Sequence, residues 1–149
     1  MRVLLFLFGV SAGAMLSLQA VLNSEIGRRA GLFGTVFIVT IIGFISALAV
    51  VLLFPNTSNL RNAPGLSEWY LYIGAFLGII IMVAPVFLVP RIGATFTLTG
   101  LVVGQLLLSV VIDHFGWLNT PRSEIDLARI AGVVLLIAGA YLIGLQNNG

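Results

Sequence analysis

The sequence predicts an all-α integral membrane protein with five transmembrane helices, forming half of an antiparallel ten-helix dimer. Three observations carry that prediction. Of the 149 residues, 60% are hydrophobic and only 8% are charged, whereas soluble domains carry about 25% charged residues. Mean hydropathy is +1.16, so the chain has too little charge to cover a surface in water. The apolar residues fall into uncharged runs separated by short polar connectors. The charge that exists also excludes function classes. Seven Arg and no Lys stand against five acids, too sparse for a nucleic-acid patch. The chain has no Cys and a single His. Disulfides and thiol chemistry are therefore excluded, and no metal or other cofactor is expected.

Taken in order, residues 3–22 form the first span. Arg2 ahead of an apolar run also fits a signal peptide, but the run outlasts a typical h-region and no small-x-small cleavage site closes it. Gly9, Gly13 and Ser17 line one face. Gln19 and Asn23 share another face, about 200° from Ser17 at ~100° per residue. Residues 23–32 read as a connector holding Glu25, Arg28 and Arg29. The second span, residues 33–54, is apolar; Thr35, Thr40 and Ser46 can hydrogen-bond to their own helix backbone. Residues 55–67 are punctuated by Pro, Asn and Gly as a loop.

The third span, residues 69–89, opens on Trp69, Tyr70 and Tyr72, aromatics suited to the headgroup level. It carries the packing pair Gly74 and Gly78. Pro85 is expected to kink it or end its regular hydrogen bonding. Pro90, Arg91 and Gly93 are expected to form a very short turn, making spans three and four an antiparallel hairpin. The fourth span, residues 94–112, is uncharged and long enough to cross the bilayer, which takes ~20 apolar residues. Gly100 and Gly104 form a G-x-x-x-G that admits a close helix. Gln105, Ser109 and Asp113 share one face at i, i+4 and i+8. A polar connector follows, and residues 127–145 are the last span. The five spans make one transmembrane domain over residues 1–149, with no full-length internal repeat.

Five spans put the ends on opposite sides. The N-terminal side holds four Arg (Arg2, Arg61, Arg122, Arg129) and the other side three (Arg28, Arg29, Arg91). Orientation follows the Lys/Arg bias of short loops. A four-to-three split admits either a weakly cytoplasmic N-terminus or dual topology, with copies inserting both ways. Transporters commonly place their site between inverted repeats, a symmetry that an antiparallel pair supplies.

Residues G-A-M-L-S-L-Q-A-V-L-N-S-E-I-G in the first span, V-P-R-I-G-A-T-F-T after the third and G-Q-L-L-L-S-V-V-I-D-H-F-G in the fourth resemble the YdcZ-like family. That family is a small-protein branch of the drug/metabolite transporter (EamA-like) superfamily. The resemblance runs from about Gly9 to Tyr141. It implies a multi-pass protein of the bacterial inner membrane with about five spans, assembled in pairs. One departure stands out. The proton-coupled small multidrug exporters of that superfamily carry a glutamate in their first span, whereas this chain has Gln19, which cannot titrate.

The expected function is export or facilitated passage of a small organic metabolite or drug-like compound by alternating access in the dimer. The partners are the bilayer, a second copy or a paralogue, and the small-molecule substrate. The path candidates are Gln19, Asn23, Gln105, Ser109, Asp113 and His114. Each has a plainer reading. Gln19 and Gln105 would glue helices together, since amides in hydrocarbon need partners. Asn23 would cap the first helix or its turn. Asp113 and His114 would be a wetted interfacial pair instead of a titratable gate. Arg129 would snorkel, or pair with Asp126 or Asp113. Catalysis is excluded for want of a nucleophile, base or metal cluster within the spans. The competing class is a non-transporting assembly protein, in which these polar groups are used up in packing and line no water-accessible cavity.

Overall fold

The structure, a computed structural model, describes residues 1–145. Helices make up its regular structure, and no strand occurs among the described residues. The long helices are α1 (Arg2–Leu53), α2 (Ile73–Ile92), α3 (Ala94–Phe115) and α4 (Leu127–Leu145). Short 3₁₀ turns at Pro55–Thr57, Leu60–Asn62 and Leu66–Tyr72 join α1 to α2, and a further one at Trp117–Asn119 lies between α3 and α4. The chain divides into two compact units, Met1–Phe87 and Leu88–Gly149.

Four helical stretches are long and apolar enough to cross a membrane: Val3–Leu53, Leu66–Ile92, Ala94–Phe115 and Leu127–Gly144. The first has 51 residues. At 1.5 Å per residue it would measure about 77 Å, against a hydrocarbon core of ~30 Å. It is not regular throughout: Gly31, at φ 73° and ψ 171°, interrupts it. The expected connector over residues 23–32 is thus helical except at that residue. Local charge explains why. Glu25 pairs with Arg28 at i+3 and with Arg29 at i+4, the latter at 3.0 Å, spacings that hold a helical turn together.

The turn expected over residues 90–93 is also narrower. α2 carries through Pro85 and Pro90 to Ile92, and Gly93 alone, at φ 78° and ψ 160°, separates it from α3. Each proline removes one backbone donor and leaves the carbonyl four residues earlier without its helical partner. That loss is tolerable in an apolar span, because abandoning the helix there would strip many backbone groups of partners.

Gly31 and Gly93 form a matched pair. Both occupy a backbone region open essentially to glycine alone. Thr35 Oγ1 donates to the Gly31 carbonyl at 2.9 Å, and Thr97 Oγ1 donates to the Gly93 carbonyl at 2.8 Å. Both threonines are buried. The sequence around them is R-A-G-L-F-G-T (29–35) and R-I-G-A-T-F-T (91–97), a shared R-x-G-x-x-x-T. This short repeat marks a common break between helical stretches.

Within the first unit, the buried residues gather near the α1 break: Ala20, Asn23, Ser24 and Thr35 on α1, with Pro85 and Val86 on α2. A Cβ on Gly27 would overlap Val86 Cγ1 and lie 3.4 Å from Thr35 Oγ1, so α2 approaches α1 closely at this point. Within the second unit, α3 packs against α4. The Phe96 ring lies over Gly144, where an added Cβ would come within 2.8 Å of Cδ2. Most of the remaining large apolar side chains are exposed, including Phe6, Phe33, Phe76 and Leu135. Lipid or another protein surface must cover them.

Candidate functional site

The predicted path residues fall into two groups, one in each unit. Gln19 and Asn23 stand one turn apart on α1, but their surroundings differ. Gln19 is exposed. Asn23 is 7% exposed and its neighbour Ser24 is 4% exposed, in the tight region around Gly27 and Val86. The capping and lining readings of Asn23 both start from that burial. Thr35 and Ser46 behave as expected of hydroxyls in an apolar helix, donating to the carbonyls of Gly31 and Ile42.

In the second unit, Gln105 and Ser109 lie exposed along α3, and Asp113 and His114 are half-buried at its end. α3 extends past the expected limit of residue 112 to Phe115, so both are helical. The chain turns at Gly116 and folds back over the helix end. Ser123 N donates to the Asp113 carbonyl at 2.9 Å, and Arg122 Nε donates to the His114 carbonyl at 3.2 Å. Two of the carbonyls left over at a helix C-terminus are thereby satisfied. At the start of α4, Arg129 N donates to Asp126 Oδ1 at 2.8 Å. The Arg129 side chain reaches Asp113 instead, with Nη1 3.8 Å from Oδ2. That distance allows attraction but lies outside hydrogen-bond range. Arg129 Nη1 and His114 Nδ1 are both enclosed, with no hydrogen-bond partner.

Asp113 and Arg129 are therefore brought together by the chain reversal between α3 and α4. The i+4 spacing along α3 points to Asp113, but Arg129 enters the cluster through the fold of the loop, which no helical periodicity encodes. Among the described residues, no group of three or more His, Cys, Asp or Glu could hold a metal ion.

Among the described residues, nothing packs closely against the predicted packing glycines. A Cβ added to Gly9, Gly13, Gly74, Gly78, Gly100 or Gly104 would meet nothing within 4 Å. The small residues that do meet a neighbour are others, chiefly Gly27 and Gly144.

A family model described as "Putative inner membrane exporter, YdcZ" matches residues 4–142. No curated protein and no solved structure matches the chain.

Proposed function

The chain belongs to that YdcZ family of inner membrane proteins, and on that premise we propose that it exports a small organic compound across the inner membrane as an antiparallel dimer of five-span subunits. The observation that carries this reading is the family match over residues 4–142, on a chain whose long helices are apolar and charge-free for most of their length. The protein is multi-pass. The five-span count rests on Gly31: a 51-residue stretch is too long for one span, and a glycine in the same conformation separates α2 from α3. All five spans form one transmembrane domain. The work is transport, not catalysis.

Pairing is supported by the six glycines that face open space in the single chain. G-x-x-x-G faces in membranes serve close helix approach, and a four-to-three Arg split admits an inverted second copy as the partner. Gln105 and Ser109, exposed on α3, and Gln19 on α1 would then line a path between subunits. Asn23 would belong to the end of the first span, and Asp113 and His114 to the end of the fourth. With no carboxylate in mid-span, substrate handling along the path would rest on neutral amides and hydroxyls.

The test is to place single cysteines at positions 19 and 105 of the otherwise cysteine-free chain. A water-soluble thiol reagent should label both, and export from a deletion strain challenged with a metabolite and drug panel should fall on labelling. If neither position reacts in a correctly inserted protein, the path reading gives way to the non-transporting alternative.

A further inference from the structure

Exposed apolar side chains are expected along a membrane span, but not in the polar connector that follows it. The start of the connector after α3 carries such a set. Phe115 closes α3, and Trp117 and Leu118 follow at once; they are 60%, 51% and 75% exposed. The Trp117 ring stacks on the Phe115 ring, with centroids 5.6 Å apart and planes 16° from parallel, so the indole is held beside the last helical turn. The backbone fixes this arrangement. Gly116 turns the chain at φ 63°. Thr120 N and Oγ1 both donate to the Trp117 carbonyl, at 3.1 and 2.9 Å, and Ser123 N returns to the Asp113 carbonyl. Leu118, at φ 56°, is the one non-glycine with a positive φ among the described residues. Glycine would meet the needs of this turn without strain. A strained residue is a pointer to function, and what leucine adds here is an apolar side chain.

Position identifies what covers these side chains. α3 has 22 residues, about 33 Å at 1.5 Å per residue, against a hydrocarbon core of ~30 Å. When α3 crosses the bilayer, Phe115 lies at one boundary, and Trp117 and Leu118 continue the surface that the span presents to lipid. Tryptophan suits that level, because its ring is apolar and its N–H is polar. We propose that Phe115, Trp117 and Leu118 form a wedge that docks the corner between α3 and α4 into the lipid surface, where headgroups meet acyl chains. The consequence is positional. Interfacial anchors set the tilt and rotation of a membrane helix, so the wedge fixes the depth of α3 and keeps the Asp113 carboxylate, two residues before Phe115, at the headgroup level. The inference goes beyond the exporter reading and does not depend on what the protein carries.

The experiment is depth-dependent fluorescence quenching. The chain has two Trp, so Trp69→Phe leaves Trp117 as the sole emitter. The full-length variant is reconstituted in phosphatidylcholine vesicles whose acyl chains carry bromine either near the headgroup or near the chain end. An indole ~5–10 Å below the surface should be quenched about twofold or more by the shallow bromines relative to the deep ones. Aqueous acrylamide should quench it weakly. Both leaflets carry the same lipid, so the reading holds for either orientation of the chain. Leu118→Gly in the same background keeps the turn but removes one anchor, and should lower the shallow quenching about twofold through lost apolar burial. If the Trp69→Phe chain does not fold, the difference between the native chain and Trp117→Phe gives the same measurement. Strong acrylamide quenching without bromine quenching would place the corner in water and overturn the proposal. A ring shielded from both quenchers would be covered by protein, such as a second copy, and stronger quenching by deep bromines would place it in mid-bilayer; either result also overturns it. Shallow quenching unchanged in Leu118→Gly would remove Leu118 from the wedge and overturn the reading of its strain.

Discussion

Gln105 illustrates how far single residues could be read. It lies about 11 residues into α3, roughly 16 Å deep at 1.5 Å per residue, and its side chain is exposed in the single chain. An amide at that depth requires partners, which must come from outside the chain's own packing. If it lines the path, Gln105→Leu should insert and assemble normally while transport per assembled protein falls about two- to tenfold. That is the effect of losing one hydrogen bond of ~0.5–1.5 kcal/mol. If it only glues subunits, yield or assembly should fall first. Normal transport per assembled dimer would refute the path role. Asp113 was equally legible, because i+4 spacing along an apolar span makes a polar stripe visible. Arg129 was not fully legible: its choice of Asp113 over Asp126 depends on how residues 116–126 fold back, and Asp126 turned out to be occupied by the Arg129 backbone amide.

At the scale of elements, hydrophobic runs gave the helices, while their ends were harder. The Glu25–Arg28–Arg29 cluster looks like a connector by polarity yet supports a helical turn through its spacing. The prolines look like breakers yet sit inside α2. Both cases have one cause: polarity and proline mark the end of a span only when the backbone has another place to send its hydrogen bonds. The actual breaks are glycines in a conformation other residues avoid. Gly31→Ala and Gly93→Ala should therefore each cost ~1–3 kcal/mol, read as lower thermal stability of the purified protein. Gly43→Ala, which meets open space within a regular stretch, is the control and should leave stability unchanged or raise it by up to ~1 kcal/mol. Equal effects at all three positions would show that the two breaks have no special role. Gly27→Val should also destabilise, by ~1–3 kcal/mol through overpacking against Val86. Gly100→Leu tests something else. Among the described residues nothing lies within 4 Å of a Cβ added at Gly100, so the variant should insert well but lose the proposed dimer in cross-linking. A dimer that survives would remove that face from the interface.

For the molecule as a whole, exposed apolar surface and sparse charge mean that the surrounding membrane determines what one chain cannot. Orientation is the clearest case. It depends on Arg placed in short loops, and with five spans the two sides hold four and three. Helix packing contributes nothing to this balance, which is a count of Arg in the sequence under the five-span reading. If insertion is poised, a reporter fused after Gly149 should be active on both sides of the membrane. Two Lys added within residues 55–67 would make the split six to three and should bring the N-terminus almost wholly to the cytoplasm. Two Lys placed beside Arg28 and Arg29 would make it four to five and should reverse the preference. The proposed antiparallel dimer would add a sharper demand, because it would need both orientations at once. Each single-sided variant should lose export when expressed alone, and the two opposed variants expressed together should regain it. A native chain with one clean orientation, insensitive to either insertion, would end the dual-topology account. Full export by one single-sided variant alone would show that the working unit is not antiparallel.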